Sequence, residues 1–204
     1  MLATVNDLVE VLEELMPSNL AEDWDNVGLM VGRKGKTVKR ILLALDLSKE
    51  VVEQAIAQKV DLIITHHPAI FKKLKQVVDN DWQQDLLLTL MENGIAVYSA
   101  HTNLDCVSTG VNDVLAKLLK LEDADILDDS NGLGRIGVVE KMPLAAYAQL
   151  VKTALKADYV VVGDAGKQVH KVAVCGGAGS ELIDLALAKG ADTLVTGDVK
   201  YHSA

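Results

Sequence analysis

Residues 50–65, EVVEQAIAQKVDLIIT, and residues 181–196, ELIDLALAKGADTLVT, are two versions of one segment. Glu50 matches Glu181, Asp61 matches Asp192 and Thr65 matches Thr196, each pair 131 residues apart, and Gly32 and Gly163 keep the same spacing. Each copy is a helical pattern that runs into a short apolar strand, and each follows another apolar strand, at 39–46 and 171–175. Strand–helix–strand units converge on similar sequences by themselves, but a constant offset at separated positions points to duplication. The predicted fold is α/β: two similar halves related by internal duplication, with mixed sheets flanked by helices.

Local signals set the remaining elements. Leu8, Leu12 and Leu15, with Val5 and Val11, recur at helical spacing; Thr4 or Asn6 can cap that helix and Pro17 stops it. Strands are predicted at 27–32 and 39–46, and Ser48 opens a helix to about residue 59. A helix over 81–93 closes at Asn93-Gly94, and a strand over 95–100 leads into a turn at 101–105. Residues 110–119 read as helix. Residues 121–131 are acidic and irregular and read as the linker between two lobes, 1–125 and 126–204. The second lobe is predicted to hold a helix at 141–157, strands at 159–163, 171–175 and 191–196, and a helix at 180–189 capped by Ser180.

The first repeat ends in chemistry. Its strand, Val60-Asp61-Leu62-Ile63-Ile64-Thr65, delivers His66 and His67 and stops at Pro68. Two readings fit: a plain histidine pair, or part of a metal site. Neighbouring side chains on an ideal strand point to opposite faces, so the two imidazoles suit two adjacent ions better than one. His101 and Asp105, four residues apart after the next strand, share a face if that turn is helical. An imidazole and a carboxylate suit a divalent ion such as Mn, Fe or Zn. The second repeat has Gly197-Asp198 where the first has His66-His67, with His202 close by. The counterparts of the 81–93 helix, its following strand and the His101–Asp105 turn would lie past Ala204 and would be expected to carry their own ligand pair.

Composition excludes several function classes. A net charge of −9 argues against non-specific nucleic-acid or anionic-membrane binding. Lys72, Lys73 and Lys75 form the one visible basic cluster, which reads as a solvated loop. Cys106 and Cys175 are far apart and form no CxxC, which fits a reducing compartment. The acidic start (Asp7, Glu10, Glu13, Glu14) is no signal peptide, and no apolar run approaches membrane-spanning length. A cytoplasmic location is expected.

Other signals have bland alternatives. Gly132 to Gly137 satisfies GxGxxG but follows an acidic loop rather than a strand, against a dinucleotide site. Gly176-Gly177-Ala178-Gly179-Ser180 reads as an anion cradle or as a tight turn. Trp24 walls a cleft or fills the core. Cys106 and His170 read as inert; His202 is a candidate to support a ligand.

Taken together, Glu22-Asp23-Trp24-Asp25-Asn26-Val27-Gly28-Leu29, Thr65-His66-His67-Pro68, Ala100 to Asp105, Gly134 to Gly137, Cys175 to Gly179 and Gly197 to His202 resemble the NIF-three-like dinuclear-metal family, the GTP cyclohydrolase 1 type 2 homologues. The resemblance implies that His66, His67 and Asp105 bind two divalent ions (Zn, Fe or Mn), with His101 orienting a ligand or relaying a proton. It implies the short form without a central insertion, and a ring-shaped homohexamer. The implied activity is metal-dependent hydrolysis of a small substrate, a nucleotide or phosphoester. The alternative is a non-catalytic metal-holding scaffold or interaction protein.

Overall fold

The computed structural model describes residues 2–163 and 168–203. The chain divides into two compact units, Met1–Leu104 and Asp105–Ala204, upstream of the expected lobe boundary at 125/126.

In the first unit α1 (Val5–Leu15) begins with a capping box: the Thr4 hydroxyl accepts from Asp7 N and the Asp7 carboxylate accepts from Thr4 N. Then come β1 (Gly28–Val31), β2 (Ile41–Ala44), α2 (Lys49–Ala57), β3 (Leu62–Thr65), α3 (Trp82–Glu92) and β4 (Ala96–Ser99). The short helix α4 (Thr102–Cys106) carries the chain into the second unit. The sheet order is β1-β4-β3-β2, with β1 antiparallel to β4 and the other three strands parallel. Parallel neighbours need a crossover, and α2 and α3 supply it. Val52 and Ala55 of α2 and Leu87 and Leu90 of α3 pack with Ile63 and Val97. Leu62 and Ile63, on opposite faces of β3, are both fully buried, which explains an unbroken apolar strand. Glu13 fastens α1: its carboxylate accepts from Ser18 N and Oγ and from the buried Tyr98 hydroxyl on β4.

The second unit contains α5 (Val111–Leu118), β5 (Glu122–Ile126), β6 (Arg135–Pro143), α6 (Leu144–Ala154), β7 (Gln168–Cys175), α7 (Ile183–Ala188) and β8 (Thr193–Thr196). Its sheet runs β5-β6-β7-β8; β7 and β8 are parallel and the other pairs antiparallel. Three expectations change. The acidic stretch taken for a linker holds an edge strand, because the ladder to β6 supplies its hydrogen bonds whatever its propensity. Residues 141–143 extend β6, so the helix starts after Pro143. Residues 159–163 pair with no strand among the described residues; Tyr159 and Val161 are 76% and 86% exposed.

The repeat is present in atomic detail. In the first unit Ile41 faces Leu62 and Ala44 faces Thr65; in the second Val172 faces Thr193 and Cys175 faces Thr196, the same register 131 residues on. Asp61 Oδ2 accepts from Lys39 N and Arg40 N, and Asp192 Oδ2 accepts from His170 N and Lys171 N. The outer strands differ: β4 adds parallel to β3, whereas β6 adds antiparallel to β7. The shared core is therefore strand–helix–strand, each copy locked by an aspartate at the entry to its second strand. Asp61→Ala and Asp192→Ala should each lower stability by about 1–3 kcal/mol, Asp192 toward the lower end because it is exposed. The reading is a shift in the urea midpoint at unchanged slope. For Asp61, burial raises the carboxyl, but the Lys39 N–H and the Lys36 ammonium outweigh it and hold the group below 3.8. Its contribution is therefore complete above that value and is lost as pH falls through the lowered folded one. Among the described residues no helix is long and apolar enough to cross a membrane.

Candidate metal centre

β3 stops at Thr65, and the chain leaves the sheet through a hydrogen-bonded lock. The buried Thr65 hydroxyl donates to His67 O and meets Ser99 Oγ, both at 2.9 Å, and Ser99 Oγ accepts from Ala69 N at 3.2 Å. The His66 and His67 N–H groups donate to Ala44 O, the last residue of β2, and to Leu45 O just past it. Both imidazoles thus stand at the carboxyl end of β3, beside that of the parallel β2, where α/β sheets gather ligands. His101 follows β4 by two residues, its N–H held by Asn103 Oδ1, and Asn103 is fixed in turn on Met16 O.

The three rings converge. One ring nitrogen from each of His66, His67 and His101 lies within 4.8 Å of the others. Ring centroids are 5.2 Å apart for His66 and His67, 5.1 Å for His66 and His101, and 5.7 Å for His67 and His101. Each Nδ1 has an acceptor: Ala100 O for His66 (2.9 Å), Asp46 Oδ1 for His67 (2.6 Å) and Asp25 Oδ1 for His101 (2.9 Å). Carbonyl and carboxylate oxygens only accept, so Nδ1 carries the proton and Nε2 is the nitrogen with which each ring can ligate. Burial holds the His66 imidazole below its ordinary 6.5, and the nearby His101 and His67 push the same way against Ala100 O and Asp25. That favours the neutral form a metal requires.

Asp25 is the most enclosed part of this arrangement, its side chain 0% exposed. Oδ2 accepts from Thr102 N at 3.1 Å and Thr102 Oγ1 at 2.6 Å. Burial alone would raise its pKa; hydrogen bonds from Thr102 and His101 outweigh it and hold the group below 3.8. A charged carboxylate therefore backs His101. Three oriented imidazoles can hold a divalent ion and leave positions open on it, the ligand count of catalytic zinc sites.

His66 and His67 come together, and because both lie past the strand end the pleat no longer separates them: one ion is within reach of both. His101, expected to orient or relay, stands in the triad itself. Asp105 sits on α4 as the first residue of the second unit and is not one of the three clustered groups. Asp46 and Asp25 received no role from the sequence, although a carboxylate at the end of a strand beside His67 was a usable signal. Trp24 is 60% exposed with its ring centroid 6.0 Å from that of His101, so it is not a core residue.

In the second unit the glycine motifs are structural. Gly132 and Gly134 have φ of +83° and +70°, and a Cβ on either would meet neighbours at 3.1 Å. Gly176 N and Gly179 N are engaged by Asn112 Oδ1 and Thr196 Oγ1, at 2.9 and 2.8 Å, so this loop is a tight turn. Ser180 makes no capping bond; it opens a 3-10 turn that leads into α7. Cys106 is buried, His170 Nδ1 donates to Val139 O at 2.7 Å, and His202 lies exposed on the turn Tyr201–Ser203.

A sequence profile described as Duf34/NIF3 (NGG1p interacting factor 3) matches residues 3–204. A protein of Clostridium acetobutylicum named GTP cyclohydrolase 1 type 2 homolog is 37% identical, over 97% of this chain and 77% of its own. A Lactococcus lactis protein of the same name is 37% identical, over 97% of this chain and 79% of its own. The crystal structure of a Bacillus cereus protein related to NIF3 superposes with a TM-score of 0.93 at 27% identity, covering 99% of this chain and 84% of that one.

Proposed function

The chain belongs to the Duf34/NIF3 family, and on that premise we propose that it is a metal-dependent hydrolase acting on a nucleotide or phosphoester, with one ion at the three histidines and, on the sequence resemblance alone, a second ion completing a dinuclear centre. One observation carries the reading: three imidazoles whose ring nitrogens lie within 4.8 Å of one another, each oriented through Nδ1 by its own acceptor. A bound divalent ion supplies a Lewis acid and a water of lowered pKa. His66, His67 and His101 would hold it, with Ala100 O, Asp46 and Asp25 orienting the three rings through Nδ1. Asp105 joins the ligands on the sequence resemblance alone, as does the ring-shaped homohexamer.

The test is turnover. Metal-free and Zn-, Mn- or Fe-loaded protein are assayed against GTP and against a simple phosphodiester, with metal content read by elemental analysis. Metal-dependent product from either substrate is expected; none from both ends the hydrolase reading. The family's description as an interacting factor favours a second reading, a metal-holding scaffold without turnover. Stoichiometric metal with no product, and a binding partner retained equally by wild type and His66→Ala, would favour it.

A further inference from the structure

We infer that Trp24 and Phe71 form an aromatic platform beside the histidine triad that stacks the base of a nucleotide, with Lys72, Lys73 and Lys75 drawing in its phosphates. The inference rests on the hydrolase reading and narrows its substrate from any phosphoester to one bearing a flat heteroaromatic ring.

Aromatic side chains are scarce here, 3% of the chain, with a single phenylalanine. Yet that Phe71 is 48% exposed and Trp24 is 60% exposed, and the two rings meet edge to face with centroids 6.0 Å apart. Trp24 makes a second such contact with His101, also at 6.0 Å. Single exposed apolar side chains are ordinary, but two large rings in contact beside a cluster of ligating side chains make a contiguous apolar patch.

Their placement is built in. Asp25, next to Trp24, is clamped by His101 and Thr102. Asn26, the following residue, donates through Nδ2 to Ile70 O, immediately before Phe71. Three consecutive residues thus do three things: Trp24 presents an indole, Asp25 orients a triad histidine, and Asn26 fixes the second ring.

Charge chooses the occupant. Phe71 is followed by Lys72-Lys73-Leu74-Lys75, all exposed, in a chain of net charge −9. Apolar rings joined to a local run of ammonium groups suit a ligand that is flat at one end and anionic at the other. A polynucleotide would be repelled by the acidic remainder; a free nucleotide is small enough to meet the local field alone.

The chain has two tryptophans, so Trp82→Phe leaves Trp24 as the sole indole emitter. Titrating GTP into that protein should quench its fluorescence saturably, whereas inorganic triphosphate, which lacks a ring, should not. Trp24→Ala should weaken GTP binding about ten-fold or more, Trp24→Phe should restore most of it, and metal content should stay at the wild-type level in both. Replacing the three lysines by alanine should weaken GTP and triphosphate binding together and flatten the salt dependence. Absence of quenching, or unchanged GTP affinity in Trp24→Ala, overturns the platform. The two ideas fail separately: quenching by GTP in a protein that turns nothing over removes the hydrolase and keeps the platform. Metal-dependent turnover of GTP undiminished in Trp24→Ala removes the platform and keeps the hydrolase.

Discussion

Alanine at His66, His67 or His101 is expected to weaken divalent-metal binding at least ~100-fold and to abolish any metal-dependent turnover. Losing only the group that orients a ligating histidine typically costs about 10- to 100-fold in affinity. Losing the ligand itself lies at or beyond the top of that range. Asp25→Ala supplies the internal scale, because it keeps all three imidazoles and takes from them only the Nδ1 acceptor of His101; it should fall within the 10- to 100-fold window. Because Asp25 also holds Thr102, each variant is compared at a temperature where circular dichroism shows it folded. Competition with a chromophoric chelator gives the affinities. Equal affinity in wild type and all three histidine variants would remove the triad from any metal site.

The ordering of these effects follows from how the residues are held, and only part of that was written in the chain as pattern. The repeat announced itself because both copies need the same things: an apolar strand, an amphipathic helix, and a carboxylate to receive two backbone N–H groups at the entry to the second strand. His66 and His67 were legible because paired imidazoles closing an apolar strand have few uses. His101 was visible as a candidate, but its place in the triad depends on β4 lying beside β3, and β4 reaches that position through the α3 crossover, pairing parallel to β3. Asp25 lies 76 residues from His101. No local periodicity could join them; the link is tertiary.

Where sequence and structure part, competition between local and long-range terms explains it. Residues 159–162, Tyr-Val-Val-Val, have the composition of a strand but find no ladder among the described residues and stay exposed. Residues 122–126, with three carboxylates, have poor strand composition, yet β6 offers them a ladder. Strand formation is decided by the neighbour more than by the residue.

The largest expected loss of stability comes from a residue to which the sequence assigned no role. Arg135 is 4% exposed and its guanidinium makes four hydrogen bonds. Nε pairs with Asp113 Oδ1, Nη1 donates to Gly132 O at 2.9 Å and Gly134 O at 2.7 Å, and Nη2 to Val107 O at 3.3 Å. The two glycines it grips are those in left-handed conformation, so the turn into β6 is shaped around this one side chain. Breaking a buried ion pair by removing one partner costs about 3–5 kcal/mol. Arg135→Met should approach the low end, since Asp113 keeps 24% exposure and can be partly rehydrated. Arg135→Lys should rescue little, because an ammonium cannot serve one carboxylate and three carbonyls in a plane. The double variant Arg135→Met with Asp113→Asn should lose less than the two single losses added together, because it strands no charge. Urea unfolding of the four proteins gives the cycle. A loss below about 1 kcal/mol for Arg135→Met would mean that solvent, not the fold, satisfies this guanidinium.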